Sequence, residues 1–170
     1  MAPIQPRPDI ILRILINCSN VQATARAGFY GIAGWHTKAH LLRALYEGVV
    51  YGHLSHVDKL RAIGPLKTAR LTGGGSRSEI WTQIFADALN MPMEVPHGIE
   101  VSARGAAMSA GIGVGIYRDH ADAVQQAVRI VRRQEPIAEN TPHYLARYRE
   151  YWRLLEAMRQ PWDSLSRLDS

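Results

Sequence analysis

At 170 residues, with 46% apolar and 21% charged positions, the chain is long enough to bury one core and too weakly charged to be disordered. Arg13 splits Ile10-Ile11-Leu12 from Ile14-Leu15-Ile16, so no stretch reaches the roughly 18 apolar residues of a membrane span, and the same charge makes a poor signal peptide; a cytoplasmic protein is expected. The single cysteine, Cys18, excludes an internal disulfide and a cysteine-based zinc site, and the net charge of +5 favours anionic partners: phosphorylated metabolites, nucleotides or nucleic acid.

Three of the nine prolines fall in the first 20 residues, beside a β-branched run, Ile10 to Ile16, that suits a strand. Gly28, Gly31 and Gly34 surround two aromatics and mark a turn-rich segment with a close backbone approach. A long helix is predicted next, capped by Thr37 and carried by Leu41, Leu42, Leu45, Val49, Val57 and Leu60 until Gly64-Pro65 stops it. Gly48 and Gly52 within it each cost about 1 kcal/mol relative to Ala, which points to a closely packed neighbouring helix. Thr68–Thr72 reads as a short strand running into Gly73-Gly74-Gly75. Ser76 and Glu79 are spaced as a capping box for a second helix, whose apolar face is Ile80, Trp81, Ile84, Phe85, Ala88 and Leu89. Met93-Glu94-Val95, set between prolines and between helices, suits a second short strand. Val101 to Gly115 is a thin helix of Ala, Gly, Ser and Val in which Arg104 is the only charge. Asp119 to Arg133 carries Ala123-Val124, Ala127-Val128 and Val131 at helical spacing, and Thr141-Pro142 opens a last helix through Tyr144, Tyr148, Tyr151, Trp152, Leu155 and Met158.

The strongest chemical signal is Leu71 to Glu79, a strand ending in three glycines that turns into a capped helix. Glycines allow backbone contact with a ligand where a Cβ would clash, and the first free N–H groups of a helix face an anion with partial positive charge. A phosphate or nucleotide contact and a plain tight turn both fit; a P-loop does not, lacking the Lys after the last glycine, and neither does the Gly-x-Gly-x-x-Gly fingerprint. Gly111-Ile112-Gly113-Val114-Gly115 resembles a dinucleotide loop but follows a helix, so a helix end is expected there. His36 and His40 are four apart, followed by His53 and His56, yet Thr37 as cap places His36 outside the helix, which disfavours a metal site. Arg129, Arg132, Arg133, Arg147, Arg149, Arg153 and Arg159 offer a basic face, but the interleaved Glu135, Glu150 and Glu156 argue for solvated helices over nucleic-acid binding. The Tyr and Trp stripe of the last helix reads as core. No nucleophile, base and orienter set is visible.

Taken together, these segments resemble the C-terminal part of a carbohydrate kinase of the FGGY family, over about Ser19 to Asp163. Ala27 to Gly31 and Gly34 to Gly48 resemble the family's approach to its long helix, Leu71 to Trp81 its adenosine motif, and Ser102 to Ala107 the helix that follows. The wording at Trp35-His36-Thr37 is most similar to L-xylulose kinases and related pentulose or sugar-acid kinases. The resemblance implies two actin-like, RNase H-like α/β domains closing on ATP and sugar, of which this chain supplies most of the second: helix-rich, with a short, incomplete sheet. It implies phosphoryl transfer from ATP to a sugar hydroxyl, with Mg2+ bridging the phosphates. Position by position, Gly73, Gly74 and Gly75 would lie against the adenosine and α-phosphate, and Ser76 and Ser78 near the nucleobase side.

Two departures qualify the expectation. The family's N-terminal phosphate motif, catalytic Asp, sugar-binding residues and Gly-Thr-Ser segment have no counterpart here, so no catalytic residue is assigned and the isolated chain is expected to be inactive without the N-terminal kinase half. Residues 1–18 do not follow the family, Cys18 standing where a Gly is expected, which leaves 19–163 as the nucleotide-side part and 164–170 as a tail. A shifted reading frame, a displaced start codon and a divergent extension each account for this. An interdomain face without its partner would expose apolar surface, so self-association, a homodimer among its forms, is expected. The competing readings are a non-catalytic binding module that uses Arg132 and Arg133 toward an acidic partner and, last, a small nucleic-acid binder.

Overall fold

The computed structural model describes the backbone of residues 11–13 and, in full, residues 23–98 and 100–168. Cys18 and most of the Ile10 to Ile16 run lie outside the described residues, apart from a strand, β1 (Ile11–Arg13). β1 pairs antiparallel with β2 (Gly28–Tyr30), which occupies part of the segment expected to be turn. The turn itself follows at Gly31, where φ is 82°.

Helix α1 (Lys38–Arg61) begins as expected after Thr37, whose N–H donates to His40 Nδ1 at 3.0 Å. Its inward stripe is Ala44, Glu47, Val50, Tyr51 and Leu54, displaced from the apolar spacing read along the sequence, and Leu42 and Leu60 are exposed. A buried ion pair belongs to this stripe: Arg43 Nε donates to Glu47 at 2.7 Å and Arg43 Nη2 to the Tyr144 hydroxyl at 2.8 Å. Helix α2 (Glu79–Leu89) packs on α1, its Trp81 stacked on Tyr46 and its Phe85 against His53.

Strands β3 (Ala69–Arg70), β4 (Met93–Pro96) and β5 (Ile130–Gln134) form a second sheet in the order β3-β4-β5. β3 and β4 are parallel, joined through α2 as a βαβ unit, and β4 and β5 are antiparallel. The pleat sends Met93 and Val95 into the core and lines Arg70, Glu94 and Arg133 along the opposite face, where Glu94 pairs with the two arginines at 3.2 and 3.1 Å.

Helix α3 (Val101–Gly113) ends at the false dinucleotide loop: Ile116 N–H donates to the Gly111 carbonyl at 2.8 Å and Gly115 has φ 78°. That is the helix end the sequence suggested. Helix α4 (His120–Ala127) is capped by Asp119, which accepts from Asp122 N–H at 2.8 Å. The helix expected as far as Arg133 stops here, because from Ile130 the side chains alternate and β4 offers a hydrogen-bonding edge. Helix α5 (Thr141–Ala157) starts after Asn140, with Pro142 in its first turn, and helix α6 (Arg159–Leu168) follows where the sequence reading placed an end.

One core joins these elements. Val50, Tyr51 and Leu54 of α1 meet Ile84, Phe85 and Leu89 of α2, Met91 and Met93 at β4, Tyr144, Tyr151 and Leu155 of α5, and Trp162 of α6. The α5 stripe is core as read, while Trp152 stays 41% exposed.

Candidate functional site

The segment between β3 and α2 builds the site. Gly73 has φ 80° and ψ −172°, a conformation essentially restricted to glycine, and it turns the chain off the strand edge. Gly74–Arg77 then form one 3-10 turn, closed by Ser76 N–H on the Gly73 carbonyl at 3.1 Å and Ser78 N–H on Gly75 at 3.2 Å. The Ser76 hydroxyl, in a residue only 4% exposed, donates to the same Gly73 carbonyl at 2.7 Å. The capping role assigned to Ser76 with Glu79 belongs instead to Ser78, whose Oγ accepts from Trp81 N–H at 3.2 Å. The inserted 3-10 turn delays α2, and a spacing rule written for an uninterrupted helix does not register it.

The three glycines do different work. A Cβ on Gly73 or Gly74 would meet nothing within 4 Å, so both backbones face open space. On Gly75 it would come within 2.8 Å of the Trp81 indole, so this glycine is set by packing. Trp81 is itself held: it stacks on Tyr46 with ring centroids 4.9 Å apart, and its Nε1 donates to the Tyr46 carbonyl at 3.2 Å. The N–H groups of Gly74 and Gly75 open the turn and have no partner within it. The result is an accessible glycine backbone at the start of a βα junction, with the N-terminus of α2 directly behind it.

Sequence reading missed the side chains that brace this turn. Arg132, on the core side of β5, donates through Nη2 to the Ser76 carbonyl and to Thr82 Oγ1 at 3.0 Å. Thr82 is fully buried and donates in turn to the Ser78 carbonyl at 2.8 Å. The alternation of Ile130, Arg132 and Gln134 was the available signal, hidden by the helix assigned there.

Other candidate groups are occupied elsewhere. His36 Nδ1 accepts from Ala33 N–H at 2.7 Å and stacks on Trp35 at 3.8 Å, so His36 and His40 shape the turn into α1. The basic face is largely neutralised: Arg133 binds Glu94 and Glu135, Arg153 binds Glu150, and Arg159 binds Glu156. Among the described helices, none is long and apolar enough to cross a membrane.

Comparison with known proteins converges on one family. The C-terminal domain of the FGGY family of carbohydrate kinases matches residues 17–114. The L-xylulose/3-keto-L-gulonate kinase of Escherichia coli K12 is 35% identical over 151 residues, 88% of this chain and 30% of that protein. Among solved structures, xylulose kinase from Rhodospirillum rubrum aligns with a TM-score of 0.70 at 32% identity, over 82% of this chain and 28% of that one. Plasmodium falciparum glycerol kinase with ADP aligns with a TM-score of 0.70 at 25% identity, over 87% and 30%. The chain spans about 30% of the length of these relatives. Its helix-rich α/β architecture with a small three-stranded sheet is that of sugar kinases with the actin-like ATPase fold. With more than half of its residues matched in sequence and its βα glycine turn set within that architecture, the chain belongs to the FGGY family of carbohydrate kinases.

Proposed function

We propose that the chain is the nucleotide-side portion, residues 19–163, of a cytoplasmic ATP-dependent carbohydrate kinase, one that moves a phosphoryl group from ATP to a hydroxyl of a pentulose. The open Gly73-Gly74 backbone ahead of α2 carries this reading. Gly73, Gly74 and Gly75 contact the adenosine and α-phosphate through backbone; at Gly73 and Gly74 a Cβ would project into the open space the ligand takes, while Gly75 is required by the Trp81 indole. Ser76 and Ser78 lie on the nucleobase side and act by shaping the turn, their hydroxyls held by Gly73 and Trp81. The fit to ATP or ADP is therefore one of exposed N–H groups and a helix N-terminus, which neutralise and orient a phosphate.

Magnesium enters with the nucleotide. Among the described residues no group of three or more His, Cys, Asp or Glu side chains is placed to hold a cation. When bound, Mg2+ neutralises charge on the phosphates. Phosphoryl transfer depends on positioning from both walls of a cleft, and this chain supplies one wall. The N-terminal kinase portion is thus the required partner, and without it exposed apolar groups such as Ile32, Trp35, Val114 and Ile116 favour self-association.

The test is calorimetric titration of the chain with ADP and ATP, beside Gly74→Asp. The Gly74 position has room for a side chain and an ordinary φ, so the variant folds while setting a carboxylate against the phosphates. Weak binding by the wild type and none by Gly74→Asp supports the reading; equal behaviour of the two refutes it. Turnover of a pentulose by the isolated chain would refute the need for the second wall.

A further inference from the structure

We propose that Arg132 is a positioning residue for the Gly73–Ser78 turn, the brace that holds its backbone in ligand-ready shape; the nucleotide consequence of this rests on the reading above. The observation is one cation joining two sides of one loop. Arg132 pairs in register with Val95, which is buried, so its side chain enters on the core side of the sheet while its neighbour Arg133 leaves on the opposite face toward Glu94. From there Nη2 reaches the Ser76 carbonyl in the 3-10 turn and the Thr82 hydroxyl in the first turns of α2, and Nη1 lies 3.9 Å from Glu79.

The chemistry of each contact fits a brace. The Ser76 carbonyl belongs to a buried residue, and the 3-10 geometry leaves it short of good intrahelical partners, so a charged donor is the strongest satisfaction available. The Thr82 hydroxyl accepts from Arg132 and donates to the Ser78 carbonyl, so one guanidinium ties β5 both to the turn and to the cap of α2. The Nε of Arg132 is buried and has no hydrogen-bond partner among the described residues. Gly73 and Gly74 have no side-chain contacts to stop the loop from sampling other shapes, so order has to be imposed from outside.

The experiment compares wild type, Arg132→Met, Arg132→Lys and Thr82→Val by amide hydrogen exchange and by ADP titration. Arg132→Met is expected to raise exchange at Ser76, Arg77 and Ser78 about tenfold, leaving α5 and β4 unchanged, and to weaken ADP about tenfold. Arg132→Lys, with one donor group, recovers part of both, and Thr82→Val, which removes one anchor, gives an intermediate loss. A merely structural role would loosen β4, β5 and α2 together, and that result overturns the proposal, as does unchanged exchange in the turn. Should Arg132→Met fail to fold, Arg132→Lys and Thr82→Val are judged by the same local pattern. If the turn alone opens but wild type binds no ADP, the brace stands and the nucleotide reading falls.

Discussion

Replacing Gly73 by alanine isolates the backbone contribution of the loop from every other effect. The added Cβ meets nothing within 4 Å, so neither overpacking nor a lost contact enters. What remains is the conformation: φ 80° with ψ −172° lies in the region that non-glycine residues occupy at roughly 1–3 kcal/mol. Gly74→Ala is the internal control. It too has open space, but its φ is ordinary and it sits inside the 3-10 turn, so the smaller entropy of the unfolded chain should stabilise the protein by about 0.4–1 kcal/mol. Adjacent glycines with the same side-chain environment are therefore expected to differ by about 1.4–4 kcal/mol, with opposite signs. Urea unfolding of the three proteins at unchanged m reads this directly, and each kcal/mol corresponds to about 2–4 °C in Tm for a chain of this size. A Gly73→Ala midpoint within error of Gly74→Ala would show that the left-handed turn is not what the first glycine provides.

Two further outcomes follow from buried carboxylates. Asp87, 2% exposed, accepts from Ile137 N–H and Asn140 Nδ2 at 2.8 Å and from Gln83 Nε2 at 2.7 Å, so Asp87→Ala strands the Ile137 and Asn140 donors, Gln83 keeping the Glu135 carbonyl at 3.0 Å, and should lower stability by about 3 kcal/mol in urea unfolding; a loss below about 1 kcal/mol would mean that water replaces the carboxylate. Glu47 has its pKa raised above 4.5 by burial, against the opposing pull of Arg43. An acid with a raised folded pKa favours the native state fully at pH below its unfolded value and loses that contribution as pH rises through the folded one. Wild type should therefore lose stability relative to Glu47→Gln as pH is raised from about 4 to 7, and a pH-independent difference would contradict the assigned burial.

Much of this arrangement was legible because it is local. Thr37 and Gly64-Pro65 bound α1 whatever packs around it, and the glycine run marks a strand-to-helix junction by its own backbone preferences. The missed features are those decided by distant partners. β5 reads as helix through Val131 until β4 supplies an edge, and Glu47 takes a core position only because Arg43 and Tyr144 meet it there. Arg132 shares a basic run with Arg133, yet strand alternation sends one to the site and the other to the opposite face. No periodicity computed for a helix separates them.

The family match ends at residue 114, but the structure does not divide there. Residues 130–134 complete the sheet on β4, Arg132 secures the glycine turn, and the backbone N–H of Ile137 and side chain of Asn140 clamp Asp87 at the end of α2. Helices α5 and α6 contribute Tyr144, Tyr151, Leu155 and Trp162 to the one core. Both ends of α2 are thus tied by a segment outside the matched region: the first turn through Thr82 and Arg132, the last through Asp87. A helix that presents its N-terminus to a ligand has to be rigid along its axis for the dipole and the loop to stay in register. The segment after residue 114 supplies those ties, and the candidate site rests on it as much as on the glycine turn.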